Sequence, residues 1–308
     1  MGSTSIDGIN KDQGEFPFPK VERKKEPTFQ QIAQPLWTQS KATLVAKYLK
    51  NFCYVTRHGT YLDAFAGPQR VKNLDMWSAK LVLDNRPRRL RHFHFFERNR
   101  AKVKMLQDLK DSQPPRTKSE GKGTIDIYQG DCNRKLPAML AANPIKDTEA
   151  TFCLLDQWTR ECDWATVKVV AEHKKGGKKI ELFYFFPQGW IDRSVGGLKD
   201  TEAKMVKWWG RADWRELLKR QGYERGRFIA DRFKAELGYA HAQPFPIYGQ
   251  GRVMYFMIHA SDDDRAIPLM FSAYNNAMGV KKTAQQIDLL FADCMGKQQN
   301  PSSSNKRR

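Results

Sequence analysis

The chain has 308 residues, enough for one large domain or one domain with an insert, and its 40% hydrophobic and 12% aromatic residues can build a core. No run of about 18 apolar residues is present, which argues against a helical membrane span, and the opening Met-Gly-Ser-Thr-Ser-Ile lacks the apolar stretch of a secretory signal. The 53 Lys and Arg against 34 Asp and Glu leave +19, a balance that attracts polyanions, with nucleic acid the default partner.

Residues 1–35 are polar, with Gly, Pro and Lys and no sustained period, and read as a tail or strap rather than a domain. Its first 28 residues hold five bases and five acids, which cancel, and the basic tail 297–308 supplies four of the nineteen charges. The remaining +15 therefore belongs to the folded body, expected over 36–296 as one domain. Five scattered cysteines (Cys53, Cys132, Cys153, Cys162 and Cys294), without Cys-x-x-Cys spacing, point to a reducing, cytoplasmic compartment and away from structural zinc.

Ser40 is placed to cap a helix running to about Phe52, with Leu44, Val45, Tyr48, Leu49 and Phe52 on one face. A first strand is expected at Gly59–Ala66, a helix over Trp77–Asp84, a second strand at His92–Glu97 and a helix after it. A third strand at Thr124–Tyr128, a helix over Arg134–Ala142, a fourth strand at Ala150–Asp156 and a helix over Trp164–His173 follow. A fifth strand spans Lys179–Phe186. This alternation predicts an α/β, doubly wound, mostly parallel sheet. The apolar runs Cys153-Leu154-Leu155 and Leu182-Phe183-Tyr184-Phe185-Phe186 suit strands buried on both faces. The pattern then changes to a helical, basic insert at about 198–240, a closing hairpin at Gln243–Tyr248 and Arg252–Ala260, and helices at about 266–278 and 283–295.

Four consecutive strand ends carry an acid: Asp63, Glu97, Asp131 and Asp156. In an open parallel sheet the ligand crevice lies beyond those ends. An acid after the second strand is placed for ribose hydroxyls, and one after the third for an adenine amino group. The loop Asp63-Ala64-Phe65-Ala66-Gly67-Pro68 would hold the charged end of the ligand. Gly67 brings no Cβ and Pro68 stiffens the turn. Phe65 and Leu136 could sandwich a purine ring, and Cys132 could lend its backbone N–H beside it. The set suits S-adenosylmethionine better than a dinucleotide, because Gly-x-Gly-x-x-Gly is missing. Each acid taken alone could instead cap a helix.

The segments LDAFAGP (62–68), FHFFERN (93–99), GDCN (130–133), TFCLLDQW (151–158) and FYFFPQGWIDR (183–193) resemble the bacterial three-Cys-motif partner family, TcmP. KWWGRADWRELL (207–218) and VMYFMIHAS (253–261) extend the resemblance over roughly 36–280. It implies a Rossmann-like, class I methyltransferase fold that uses S-adenosylmethionine, and a companion protein carrying three cysteines. It puts Asp63, Ala66 and Gly67 on the first cofactor loop, Glu97 on the ribose, Asp131 on the adenine and Asp156 on the fourth motif. Two departures stand out: Gln69 where the family has a second glycine, and Asp156-Gln157-Trp158-Thr159 where it has Asp-Pro-Phe-Gly. Base N-methyltransferases use Asp-Pro-Pro-Tyr there to receive a flipped amino base. Asp156 and Trp158 are thus the candidates for receiving substrate, with Phe186, Pro187 and Gln188 walling the site. A non-catalytic protein that binds nucleic acid or its companion with the same fold is the alternative.

The insert's Trp208, Trp209 and Trp214 lie among basic residues including Arg211, a mixture that could stack bases and grip phosphates or could equally be core and solvated helix face. The loop Arg86-Pro87-Arg88-Arg89-Leu90-Arg91 falls at a strand start, away from the crevice, and reads as a solvated loop. His92 and His94 share one side of a strand without a third ligand, a pattern of packing rather than of a metal site.

Overall fold

In the first helix, α1 (Leu36–Thr56), the buried side chains recur at Lys41, Leu44, Val45, Tyr48, Leu49 and Phe52, the three- and four-residue spacing of one helix face. The structure is a computed structural model, and it describes residues 36–69, 71, 74–142, 145–189, 191, 201–249 and 252–277. The helix begins at Leu36, so Ser40 lies inside it and is not its cap. The expected segment 1–35, the helix at 283–295 and the tail 297–308 fall outside the described residues.

Strand β1 (Gly59–Asp63) is followed by helix α2 (Ser78–Leu83), strand β2 (Leu90–Glu97) and helix α3 (Arg100–Asp111). Next come β3 (Thr124–Gln129), α4 (Cys132–Ala142), β4 (Thr151–Leu155), α5 (Trp164–Ala171) and β5 (Glu181–Phe186). The insert contributes α6 (Thr201–Trp209), a 3-10 turn at Trp214–Leu217 and α7 (Gly222–Ala235). The hairpin β6 (His241–Gly249) and β7 (Arg252–Ser261) leads to α8 (Ala266–Ala277).

The seven strands form one sheet in the order β3-β2-β1-β4-β5-β7-β6. Pairings from β3 to β5 are parallel, whereas β7 runs antiparallel between β5 and β6. This is the doubly wound, mostly parallel α/β fold with a closing hairpin that the alternation predicts, of the Rossmann-like class I methyltransferase kind. β1 and β4 are neighbours across the point where the strand order reverses, which is where such sheets hold ligands. Strand side chains alternate between two cores. Leu62, Cys153, Leu155, Leu182 and Tyr184 face α4 to α7, while Tyr61, Phe152, Leu154, Phe183 and Phe185 face α1, α2, α3 and α8.

One buried polar group spans the second core. Glu181 accepts from Tyr48, from His259 Nε2 at 2.7 Å and from Ser261 Oγ at 3.3 Å. All four are buried, so the set ties α1, β5 and β7 together as a structural unit. At the sheet edge, β6 carries Pro244 and Pro246, opposite Ile258 and Phe256. A proline is tolerated there where its missing N–H would face away from β7, and the Pro246 carbonyl accepts from Tyr274 of α8 at 2.5 Å.

The insert's three tryptophans are core. Trp208, Trp209 and Trp214 are all 2% exposed or less, and Trp208 stacks on Phe186 at 5.6 Å between ring centroids. Of the two readings of this segment, the packed one holds for the rings. The Arg232 guanidinium lies between the rings of Trp164 and Trp209, at 4.1 and 3.7 Å, and binds Glu236 through two hydrogen bonds of 2.6 and 2.7 Å.

Candidate functional site

β1 ends at Asp63, and the chain turns at once under that side chain. Asp63 Oδ1 accepts from Phe65 N–H and Oδ2 from the Tyr61 hydroxyl, each at 3.1 Å. The carboxyl is 1% exposed. Burial pushes its pKa up to about 7; the Phe65 N–H opposes the shift, and the charges of Asp156 and Glu97 add to it. Ala66 is held from both sides, its N–H on the Phe96 carbonyl at 2.9 Å and its carbonyl on Trp77 Nε1 at 2.5 Å.

Gly67 is the tight point of the loop. Its N–H donates to Glu97 Oε2 at 3.1 Å, and a Cβ there would sit 2.1 Å from that oxygen. Pro68 beside it is buried. Glu97 Oε1 accepts from Asn99 N–H at 2.7 Å, and Asn99 caps α3. The carboxylate thus draws the β1 and β2 loops together while two of its four acceptor positions remain for a ligand.

After β3, Gly130 takes φ +137, a conformation that suits glycine, and delivers Asp131 to the start of α4. Asp131 is exposed and accepts from Asn133 N–H at 2.9 Å. Cys132 points the other way, with its buried thiol in the core beside Cys162. Leu136 is fully buried in that core, and Phe65 packs partly against it.

At the end of β4, Asp156 is 9% exposed and forms an ion pair with Lys41 of α1, itself 2% exposed. Gln69 Nε2 donates to Asp156 Oδ2 at 3.0 Å. Burial raises the Asp156 pKa, and Lys41 acts against the rise. The Lys41 ammonium lies 4.3 Å from the Phe185 ring centroid and 4.6 Å from that of Tyr255. Asp63, Gly67, Gln69, Trp77, Asp156 and Lys41 line one crevice at the switch point. Its enclosed part holds about 20 Å³, room for a group the size of one water, so anything larger extends outward from it. Gln69 Oε1 is buried there without a hydrogen-bond partner among the described residues, an acceptor suited to an incoming ammonium or amide.

Gln157 accounts for the departure at the fourth motif. It is fully buried, its Nε2 donates to the Phe185 carbonyl at 3.2 Å, and its Oε1 accepts from Cys162 N–H at 3.1 Å. The side chain staples the loop after β4 to β5. Trp158 next to it is 42% exposed, and its carbonyl accepts from the Tyr255 hydroxyl at 3.4 Å.

The structure brings Asp63, Phe65, Ala66, Gly67, Pro68, Glu97 and Asp156 together around the crevice loops. Phe186, Pro187 and Trp208 are buried, and Phe186 and Trp208 pack on each other, so these three are wall and core. Gln188 is 8% exposed and its Oε1 has no partner among the described residues. Arg211 is tied to Asp213 at 3.1 Å and Glu236 at 2.8 Å on the insert. Lys41 was not among the sequence candidates, although it interrupts an apolar stripe three residues before Leu44 and seven before Tyr48. Among the described residues no cluster of three His, Cys, Asp or Glu could hold a metal. His92 instead meets Thr124 at 3.1 Å and His94 meets Tyr128 at 3.2 Å.

The fold is a Rossmann-like α/β fold of the class I methyltransferase kind, with a charged crevice at its switch point. No protein-family model matches the chain, and no curated protein matches it. Among solved structures it is similar to a DUF574 family protein from Streptomyces avermitilis, at 11% identity over 71% of this chain and 82% of that one, with a TM-score of 0.40. It is also similar to Trm1 from Pyrococcus horikoshii, solved with S-adenosyl-L-methionine, at 14% identity over 73% of this chain, with a TM-score of 0.41. The chain spans 56% of that protein's length. Neither likeness bears on the chemistry.

Proposed function

We propose that the crevice binds S-adenosylmethionine and that the protein is a methyltransferase acting on nucleic acid, a reading in line with the resemblance to three-Cys-motif partner proteins. The observation that carries it is the series of acids at four adjacent parallel strand ends, astride the switch point, with Gly67 against Glu97. Glu97 would accept from the ribose hydroxyls with its remaining lone pairs, and Asp131 from the adenine amino group. Gln69 Oε1 and Asp63 would receive the methionine ammonium, and Lys41 its carboxylate. The bound cofactor supplies an electrophilic methyl group.

Trp158, exposed at the rim, would stack a substrate base, and Asp156 would accept the N–H of a substrate amine, which aligns the nitrogen for in-line attack. The net charge of +19 supports a polyanionic substrate. One observation favours a second reading: Asp156 already carries Lys41 and Gln69 as partners and is 9% exposed, so a substrate N–H has little access to it. A protein that binds the cofactor, nucleic acid or a three-Cys companion without transferring a methyl group would keep that arrangement.

Calorimetric titration with S-adenosylmethionine and S-adenosylhomocysteine, alongside Glu97→Gln, tests the cofactor reading. Micromolar binding weakened about ten-fold in the variant is expected. If neither ligand binds, the methyltransferase assignment fails. Transfer of labelled methyl to RNA or DNA, lost in Asp156→Asn, separates catalysis from binding alone.

A further inference from the structure

A second concavity lies at the opposite end of the sheet, between the last turns of α1, the loop entering β2 and the segment from α3 to β3, with a volume of about 240 Å³. Six cationic side chains line it (Lys50, Arg88, Arg89, Arg91, Lys110 and Arg116), and no carboxylate does. Its floor is apolar, built by Leu49, Cys53, Leu83 and Phe93. We propose that this cavity is a ligand site for a nucleotide phosphate, either a free nucleoside monophosphate or the phosphorylated end of a nucleic-acid strand.

Two of the cations build the frame. Arg116 donates to the Gly121, Arg88 and Glu120 carbonyls at 3.0, 2.5 and 3.1 Å, and Arg88 to the Pro114 carbonyl at 2.9 Å. Backbone carbonyls do not neutralise a guanidinium, and the Glu120 carboxylate lies 3.6 Å from Arg88. Burial, then the neighbouring Arg88, holds the Arg116 pKa below its ordinary value, and Glu120 opposes the shift. Lys50, Arg89, Arg91 and Lys110 make no ion pair among the described residues. Like charges gathered around a cavity repel, and a bound dianion removes that cost. Arginine forks match phosphate oxygens two at a time.

The apolar rim selects what carries the phosphate. Inorganic phosphate would leave the exposed rings of Tyr54 and Pro87 uncovered, whereas a nucleoside can lie against them. Tyr54 at the rim is 54% exposed and has the Arg89 guanidinium 5.0 Å from its ring centroid, a platform on which a base can stack. Cys53 contributes packing only, because burial pushes its thiol up to about 12. The site is independent of the cofactor crevice. The eight residues of β2, at ~3.3 Å each, put about 25 Å between the two.

The test uses the full chain and a double variant, Arg91→Ala with Lys110→Ala, both changes at partly exposed positions. Probes are AMP, inorganic phosphate, and one short oligonucleotide with either a 5′-phosphate or a 5′-hydroxyl, titrated at low salt. Saturable AMP binding, tighter than that of phosphate, weakened about ten-fold in the double variant and unchanged in Glu97→Gln, is the expected result. If AMP is silent but the 5′-phosphorylated strand outbinds its 5′-hydroxyl twin, and the variant abolishes the difference, the ligand is a strand end and the site stands. Binding of no nucleotide probe overturns the proposal. So does binding that survives the double variant, or equal binding of both strands with AMP silent, since either reports the general charge of the surface.

Discussion

Burying the Lys41 ammonium against the Asp156 carboxylate takes both charges out of water, and the Phe185 and Tyr255 rings replace only part of the lost hydration. Removing one partner leaves the other charge uncompensated. Lys41→Met is therefore expected to cost about 3–5 kcal/mol in urea unfolding, with much of the loss recovered when Asp156→Asn is added. Equal losses in the single and double variants would sink the coupling. Asp63 acts on stability through pH. Its carboxyl titrates at about 7 in the folded chain and near ~3.9 when unfolded. Between these values the folded state keeps a proton that the unfolded state has released. Stability from this group therefore falls as pH rises from about 4 to about 7, with a slope approaching 1.4 kcal/mol per unit. Asp63→Asn removes that slope, so unfolding curves at several pH values should show variant and parent diverging across this window and running parallel above it.

Among the elements, the insert shows how a basic, tryptophan-rich segment can be structural. Arg232 on α7 joins Trp164 of α5 to Trp209 of α6, with Glu236 as its fork partner. A lysine keeps the charge but has neither the planar face for two indoles nor the paired N–H groups for the carboxylate. Arg232→Lys is expected to lower stability by about 2 kcal/mol or more. A variant within experimental error of the parent would show that the stacking contributes nothing. From sequence this segment was ambiguous, because tryptophan beside arginine is the same composition in a core as on a nucleic-acid surface. Only the burial of both rings decides it. The loop after β4 presents a similar case: Gln157 reads as a damaged motif in the sequence and proves to be the staple between β4 and β5.

For the molecule as a whole, the strands were legible because β4 and β5 are apolar runs buried on both faces and because acids mark the strand ends. That the crevice lies beyond the strand ends followed from the alternation of elements, whereas the strand order, and with it the switch point, did not. Less legible were features that depend on distant partners. Lys41 lies over a hundred residues from Asp156 in the chain, and the cations around the second cavity come from three separated segments, of which the sequence singled out one as a solvated loop.

The two prolines of β6 bear on how copies of the chain can meet. A sheet grows by offering unpaired N–H and C=O groups to another strand, and the outer border of β6 lacks two of those donors and has a carbonyl already taken by Tyr274. Continuation of the sheet by a second molecule is thus disfavoured on that side. The opposite border, β3, has no proline over Thr124–Gln129, so its backbone donors are not removed in that way.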